Sequence, residues 1–241
     1  MSANWYSYAT ADLAAQACAK KIALHLEQAI GGDRAASLAV SGGSTPKLMF
    51  AHLAQHHLDW SRVHLFFVDE RCVPPDHADS NFKLCDEYFL KPAHFPHRNV
   101  HRMRGELRPE QAAQLYSDEI ADFFELPAGE LPAFDVIHRG MGADAHTASL
   151  FPGEPLIEDR DGICAAVYVE KLEKFRITLL PGVLLNARHT VVLAAGADKA
   201  DPLWQVFNSP HRPLELPSQI DTPHGRNVAW YLDDLASAKL T

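Results

Sequence analysis

The sequence predicts an α/β protein built on an open, mostly parallel sheet with helices on both faces. Two observations carry this. Near-continuous apolar runs alternate with stretches of helical period, as buried parallel strands and their crossover helices do. Several of those runs end in turns rich in Gly, Ser, Asp or Arg, which is how open α/β sheets present ligand sites at their carboxyl edge.

The elements follow in order. Thr10 is placed to cap a helix over about 11–30, with Ala14, Cys18, Ile22 and Leu26 recurring every four residues and Gly31-Gly32 ending it. Ala36 to Val40 reads as a short buried strand, and Pro46 suits the first turn of a helix reaching about His57. Val63 to Val68 is a second strand, running into Asp69-Glu70-Arg71. Ser80 caps a helix through about Leu90, and Ala112, Leu115, Tyr116, Ile120 and Phe123 share one face of a helix over about 109–125. Phe134 to Ile137 reads as a buried strand. Further strands are expected at Ala165–Val169, Arg176–Leu180, Val191–Ala195 and Val228–Leu232, with a helix near Asp198–Phe207 between the last two. No internal repeat or low-complexity segment appears. The Pro-containing loops 72–80 and 208–223 read as surface excursions, so residues 1–241 are expected to form one domain.

Composition narrows the function. The chain has 241 residues, 47% hydrophobic and 22% charged, which is ordinary for a globular protein. A formal net charge of −9 argues against non-specific binding to nucleic acid or to an anionic membrane. An anionic substrate would need a local cationic pocket. Cys18, Cys72, Cys85 and Cys164 have neither C-x-x-C nor disulfide-framework spacing, so free thiols in a reducing compartment are expected. Met1 to Tyr8 lacks the pattern of a secretory signal, and no apolar run reaches membrane-spanning length. A cytoplasmic location follows. The histidines other than His146 lack metal-ligand spacing, so no metal site is expected, and no obligate protein partner is apparent.

Three constellations carry chemistry. Ser41-Gly42-Gly43-Ser44-Thr45 joins a strand to a helix, where successive N–H groups and hydroxyls can cradle a phosphate or simply cap a tight turn. No G-K-[ST] follows, so a phosphate monoester suits it better than a nucleoside triphosphate. Asp69 and Arg71 can orient a base and grip an anion bidentately, or form a surface ion pair. Lys199, in Gly196-Ala197-Asp198-Lys199, sits at a helix start, where a cation is unfavourable unless it shares an anionic ligand with the helix or stays in solvent.

The most informative stretch is Gly-Met-Gly-Ala-Asp-Ala-His-Thr-Ala-Ser-Leu-Phe-Pro-Gly at 140–153. It puts His146 at the mouth of a glycine-rich turn, where a neutral imidazole can move a proton near pH 7. Gly140, Gly142 and Ala145 also match the dinucleotide spacing G-x-G-x-x-G/A. Pro152 and Gly153 interrupt the long helix that fingerprint requires.

With these pieces in view, the chain resembles the 6-phosphogluconolactonases of the glucosamine-6-phosphate isomerase/6-phosphogluconolactonase family. The matching segments are Ser-Gly-Gly-Ser-Thr-Pro at 41–46, Val-Asp-Glu-Arg at 68–71, Ser-Asn at 80–81, the run at 140–152, Arg-Ile-Thr-Leu at 176–179 and Gly-Ala-Asp-Lys at 196–199. The resemblance implies a Rossmann-like fold and metal- and cofactor-free hydrolysis of 6-phospho-D-glucono-1,5-lactone to 6-phospho-D-gluconate, a step of the oxidative pentose phosphate pathway. It makes His146 the acid/base, with Asp69 and Arg71 close by, and puts Gly42, Gly43, Ser44, Thr45, Arg71 and Lys199 around substrate and phosphate. Asp69 would hold the imidazole or the water, and N–H groups of the 140–145 turn would stabilise the oxyanion. Rival readings are an amino-sugar phosphate deaminase or isomerase on the same scaffold, expected to carry Tyr in place of Arg71, and a non-catalytic sugar-phosphate-binding protein.

Two departures stand out. Ala145 replaces a glycine usual in the family, at a cost of about 1 kcal/mol if its φ is positive; an α- or β-like backbone or a shifted loop would avoid that cost. His138-Arg139 ends a strand where apolar residues or glycine are commoner; Arg139 is expected in an outward-facing ion pair, the alternative being that it adds positive potential to the site.

Overall fold

The computed structural model describes residues 4–31, 34–221 and 227–240. Gly32 of the first helix stop, residues 222–223 of the long loop, and residues 1–3 lie outside the described residues.

Chain order is β1 (Asn4–Tyr8), α1 (Ala11–Ile30), β2 (Ala36–Val40), α2 (Ser44–Leu53), β3 (Val63–Phe67), β4 (Asp69–Arg71), α3 (Asn81–Cys85), β5 (Val100–His101) and α4 (Pro109–Phe123). There follow β6 (Val136–Gly140), β7 (Cys164–Val169), β8 (Lys174–Leu179), α5 (Pro181–Asn186), β9 (His189–Ala194), α6 (Ala200–Asn208), β10 (Val228–Asp233) and α7 (Asp234–Ser237). Local chemistry sets several boundaries. Thr10 accepts a hydrogen bond from Leu13 N at 3.2 Å and starts α1. Ser80 does the same for Lys83 N at 3.2 Å and starts α3, whose helical path continues as a π turn to Leu90. Helix α2 ends at Leu53, short of the expected His57.

Seven strands form a parallel sheet in the order β1-β10-β9-β6-β2-β3-β5. From β2 the chain first builds outward through β3 and β5, then returns to β6 on the opposite side. That reversal is a topological switch point, where adjacent loops diverge and leave a crevice. Both faces are covered, as alternation along β9 demonstrates. Val191 and Leu193 belong to the core cluster that includes Ile22 and Leu26 of α1. Val192 and Ala194 belong to the one that includes Leu203 and Val206 of α6.

The strands expected at 165–169 and 176–180 do not join this sheet. They pair antiparallel as β7 and β8, with β4 on the other edge of β8. Val68 links the two sheets: its N–H donates to Val40 O at 2.9 Å, and its carbonyl accepts from Leu179 N at 2.8 Å. Asp69 and Arg71 thereby leave the parallel sheet at its carboxyl edge.

The strand expected at Phe134 to Ile137 runs instead over Val136–Gly140, so His138 and Arg139 lie inside the central strand. Arg139 is 1% exposed, not outward-facing. Its Nη2 pairs with the equally buried Asp221 and its Nη1 donates to Thr147 Oγ1 at 3.0 Å. A charge so desolvated persists only when paired and hydrogen-bonded.

Candidate active site

A cavity of about 440 Å³ opens at the switch point, lined by the turns after β2, β6 and β9 and by β4 and β8. Every residue singled out from the sequence (Gly42, Gly43, Ser44, Thr45, Asp69, Arg71, His146 and Lys199) lines it.

The β2 turn is shaped by two glycines. Gly43 has φ +130°, a conformation side chains rarely adopt. A Cβ on Gly42 would stand 2.0 Å from Asn81 Oδ1, so the turn passes directly against α3. Asn81 is held by its Nδ2 on Asp69 O at 2.8 Å. Glu70 organises this corner. Its buried carboxylate accepts from Ser80 Oγ at 3.0 Å and from the N–H groups of Asn81 and Phe82 at 2.7 and 2.8 Å. Glu70 is therefore a structural tie between β4 and α3, while Asp69 and Arg71 line the cavity.

Asp69 Oδ2 accepts from Ser149 Oγ at 2.9 Å. The carboxylate that holds the imidazole is Asp144, whose Oδ1 lies 2.5 Å from His146 Nδ1. Of the two expected roles of Asp69, holding the imidazole or the water, this removes the first. Lys171 pairs with the other Asp144 oxygen. Burial disfavours the charged carboxylate, but the hydrogen bonds from His146 and Lys171 outweigh it and hold Asp144 well below the usual carboxylate range. The His146 ring also packs on Phe151, with centroids 4.2 Å apart. With Nδ1 engaged, Nε2 is the ring nitrogen left for proton transfer.

The His146 loop is tightly wound. Gly142 N donates to His146 O at 2.8 Å, and Ala145 N to Gly142 O at 3.0 Å. Those two amides are committed to the turn, which removes them from the expected set of oxyanion donors. Ala145 has φ +63°, so this alanine does occupy the left-handed region usually given to glycine. Ser218 N donates to its carbonyl at 2.9 Å and helps hold it there. Gly142 allows no side chain: a Cβ would meet His146 Nδ1 at 2.0 Å.

After β9, Lys199 also lines the cavity, is mostly buried and pairs with Asp198 at 2.8 Å. It stands in a 3-10 turn ahead of α6. Arg71 Nη1 donates to Asp79 O at 2.5 Å. Arg176, from β8, also lines the cavity. Burial and the neighbouring Arg71 charge hold Arg176 below its ordinary value, against the pull of Asp69, Glu70 and Asp79. The Nε atoms of Arg71 and Arg176 are both buried without a hydrogen-bond partner. Adjacent guanidiniums with unused donors form a site that an anion would complete.

Sequence reasoning assigned no role to Asp144, Lys171 or Arg176. Asp144 and Arg176 stand within the motifs at 140–152 and 176–179, so the signal was present. Lys171 lies outside every motif. Among the described residues, no group of three or more His, Cys, Asp or Glu side chains is placed to hold a metal ion, and no helix is long and apolar enough to cross a membrane.

An α/β sheet whose switch point holds a glycine- and hydroxyl-rich turn, clustered cations and a carboxylate-paired histidine has the arrangement of the sugar-phosphate enzymes with Rossmann-like folds. The chain belongs to the glucosamine-6-phosphate isomerase/6-phosphogluconolactonase family, which matches residues 9–230. It is 36% identical over 220 residues to 6-phosphogluconolactonase of Synechocystis, covering 91% of this chain and 90% of that protein. It is 41% identical over 182 residues to 6-phosphogluconolactonase of Treponema pallidum, covering 74% and 75%. The structure superposes on 6-phosphogluconolactonase from Trypanosoma brucei with TM-score 0.88 at 27% identity over 99% of both chains.

Proposed function

We propose that this protein hydrolyses 6-phospho-D-glucono-1,5-lactone to 6-phospho-D-gluconate, with His146 as general base and then general acid. The observation that carries the mechanism is the Asp144–His146 pair in a cavity lined with cations. Asp144 takes the Nδ1–H, so the lone pair sits on Nε2. There it accepts a proton from water as the water oxygen bonds to lactone C1. The carbonyl electrons move to oxygen to give a tetrahedral intermediate. As they return, the C1–ring oxygen bond breaks and the imidazolium delivers its proton to the departing oxygen.

Arg71 stabilises the negative charge on the reacting carbonyl oxygen, and Asp69, tethered by Ser149, orients the water or a substrate hydroxyl. Gly42, Gly43, Ser44, Thr45 and Lys199 hold the phosphate, with Arg176 close at hand. That remote grip supplies positioning energy for the reacting end. Arg71 stands where the deaminase reading expects tyrosine, which favours lactone chemistry. The four thiols, all unpaired, fit a cytoplasmic location.

The test compares lactone loss above the spontaneous rate with ammonia release from glucosamine 6-phosphate. Wild type is expected to hydrolyse the lactone and release no ammonia. His146→Ala is expected to lose more than about 10²-fold in kcat with an unchanged melting temperature. Activity within about threefold of wild type would remove His146 from the mechanism.

A further inference from the structure

The connection between β7 and β8 is a part of the cavity wall that no motif accounts for. It holds a short 3-10 turn at Glu170–Leu172 and a left-handed residue, Glu173, at φ +51°. Lys171 and Leu172 from this tip line the cavity, although both are substantially exposed. Exposure would ordinarily leave a lysine in solvent, since an exposed ion pair adds little. Lys171 is instead tied twice. It pairs with the Asp144 oxygen that does not face His146, and its ammonium lies 4.4 Å from the centroid of the Phe151 ring. Asp144 and Phe151 both contact the His146 imidazole. One cation from the β7–β8 connection thus reaches both of these contacts of the ring.

We propose that Lys171 is a positioning residue for the general base: it fixes Asp144 in the orientation that receives the His146 Nδ1–H. The proposal rests on the reading of His146 as base. With Lys171 removed, the second Asp144 oxygen loses its ion-pair partner and the carboxylate is free to turn away from Nδ1.

The test reads the ring directly. The tautomer of His146 is read at one fixed pH by NMR from its imidazole nitrogen signals, identified by their loss in His146→Gln, in wild type, Lys171→Ala and Lys171→Arg. In parallel, kcat and KM for the phosphogluconolactone are measured separately. Lys171→Ala is expected to mix the Nδ1–H and Nε2–H tautomers and to lose about tenfold or more in kcat with KM unchanged, while Lys171→Arg restores both. An unmoved tautomer or an unchanged kcat overturns the proposal; a KM that rises with kcat unchanged would make Lys171 a substrate contact. Failure of the His146 reading looks different: His146→Gln would retain activity whatever the tautomer.

Discussion

At the scale of single residues, the site is governed by what cannot be added. Gly142→Ala is expected to cost more than about 10²-fold in kcat, because the new methyl would occupy the position of His146 Nδ1, 2.0 Å from the built Cβ. A ring moved off Asp144 is a misplaced base, and kinetics beside a thermal melt would separate that loss from unfolding. Ala145 poses the opposite question. Its left-handed φ costs about 1–2 kcal/mol relative to an ordinary backbone. Its methyl is fully buried in the cluster with Met141 and Trp230, which returns about 0.8 kcal/mol. Ala145→Gly would relieve the strain, lose the methyl and add unfolded-state entropy, so a change in unfolding free energy within about 1 kcal/mol is expected in a urea titration. His146 was legible in the sequence because glycines and an acid surrounded it at a strand end. The Asp144–His146 pairing was not, since an i, i+2 spacing in an irregular turn does not say whether two side chains converge.

At the scale of the element, β6 decides the response to acid. His138 is fully buried, neither ring nitrogen has a hydrogen-bond partner, and burial followed by the Arg139 charge pushes its pKa down to about 3. The unfolded chain binds this proton at about pH 6.5 and the folded one does not. Between those values the unfolded state holds more protons, so stability falls as pH drops from about 6.5 toward 3. One group shifted this far costs about 2 kcal/mol by pH 5. His138→Leu removes the titration and the two unpaired nitrogens. It should raise stability at pH 7 and flatten, without abolishing, the acid loss. The remainder includes His25, lowered to about 4 by burial and by His189, on which its ring stacks at 3.6 Å. Equal acid slopes for wild type and His138→Leu would show that β6 is not the sensitive strand. The same strand explains a misread boundary. An apolar run marks a strand only as far as its partners are apolar, and Arg139 is neutralised by Asp221, 82 residues away. Strands β2, β3, β9 and β10 were legible because they are buried on both faces. Strand β1 was not: Asn4–Tyr8 is an exposed edge strand with no apolar run. The antiparallel pairing of β7 and β8 escaped notice because pattern gives a strand's existence, not its partner.

At the scale of the whole molecule, two fields oppose each other. The chain carries −9, which repels a phosphate dianion at long range. The cavity lining sets Arg71, Lys171, Arg176 and Lys199 against Asp69 and Asp198, an excess of positive charge at short range. Salt acts unequally on the two. The Debye length shrinks from about 30 Å at 0.01 M to about 8 Å at physiological ionic strength, which removes the global repulsion first. Contacts inside a partly buried cavity are screened much less. On this balance kcat/KM for the phosphorylated lactone should hold steady or rise as ionic strength increases from 0.01 to 0.15 M at fixed pH. An enzyme steered by an extended positive surface would instead slow down over that range. The unphosphorylated lactone, carrying no charge for either field to act on, should show no such trend and serves as the internal control. A severalfold fall with salt for the phosphorylated substrate alone would mean that the cavity's field reaches beyond its mouth and overrides the charge of the chain.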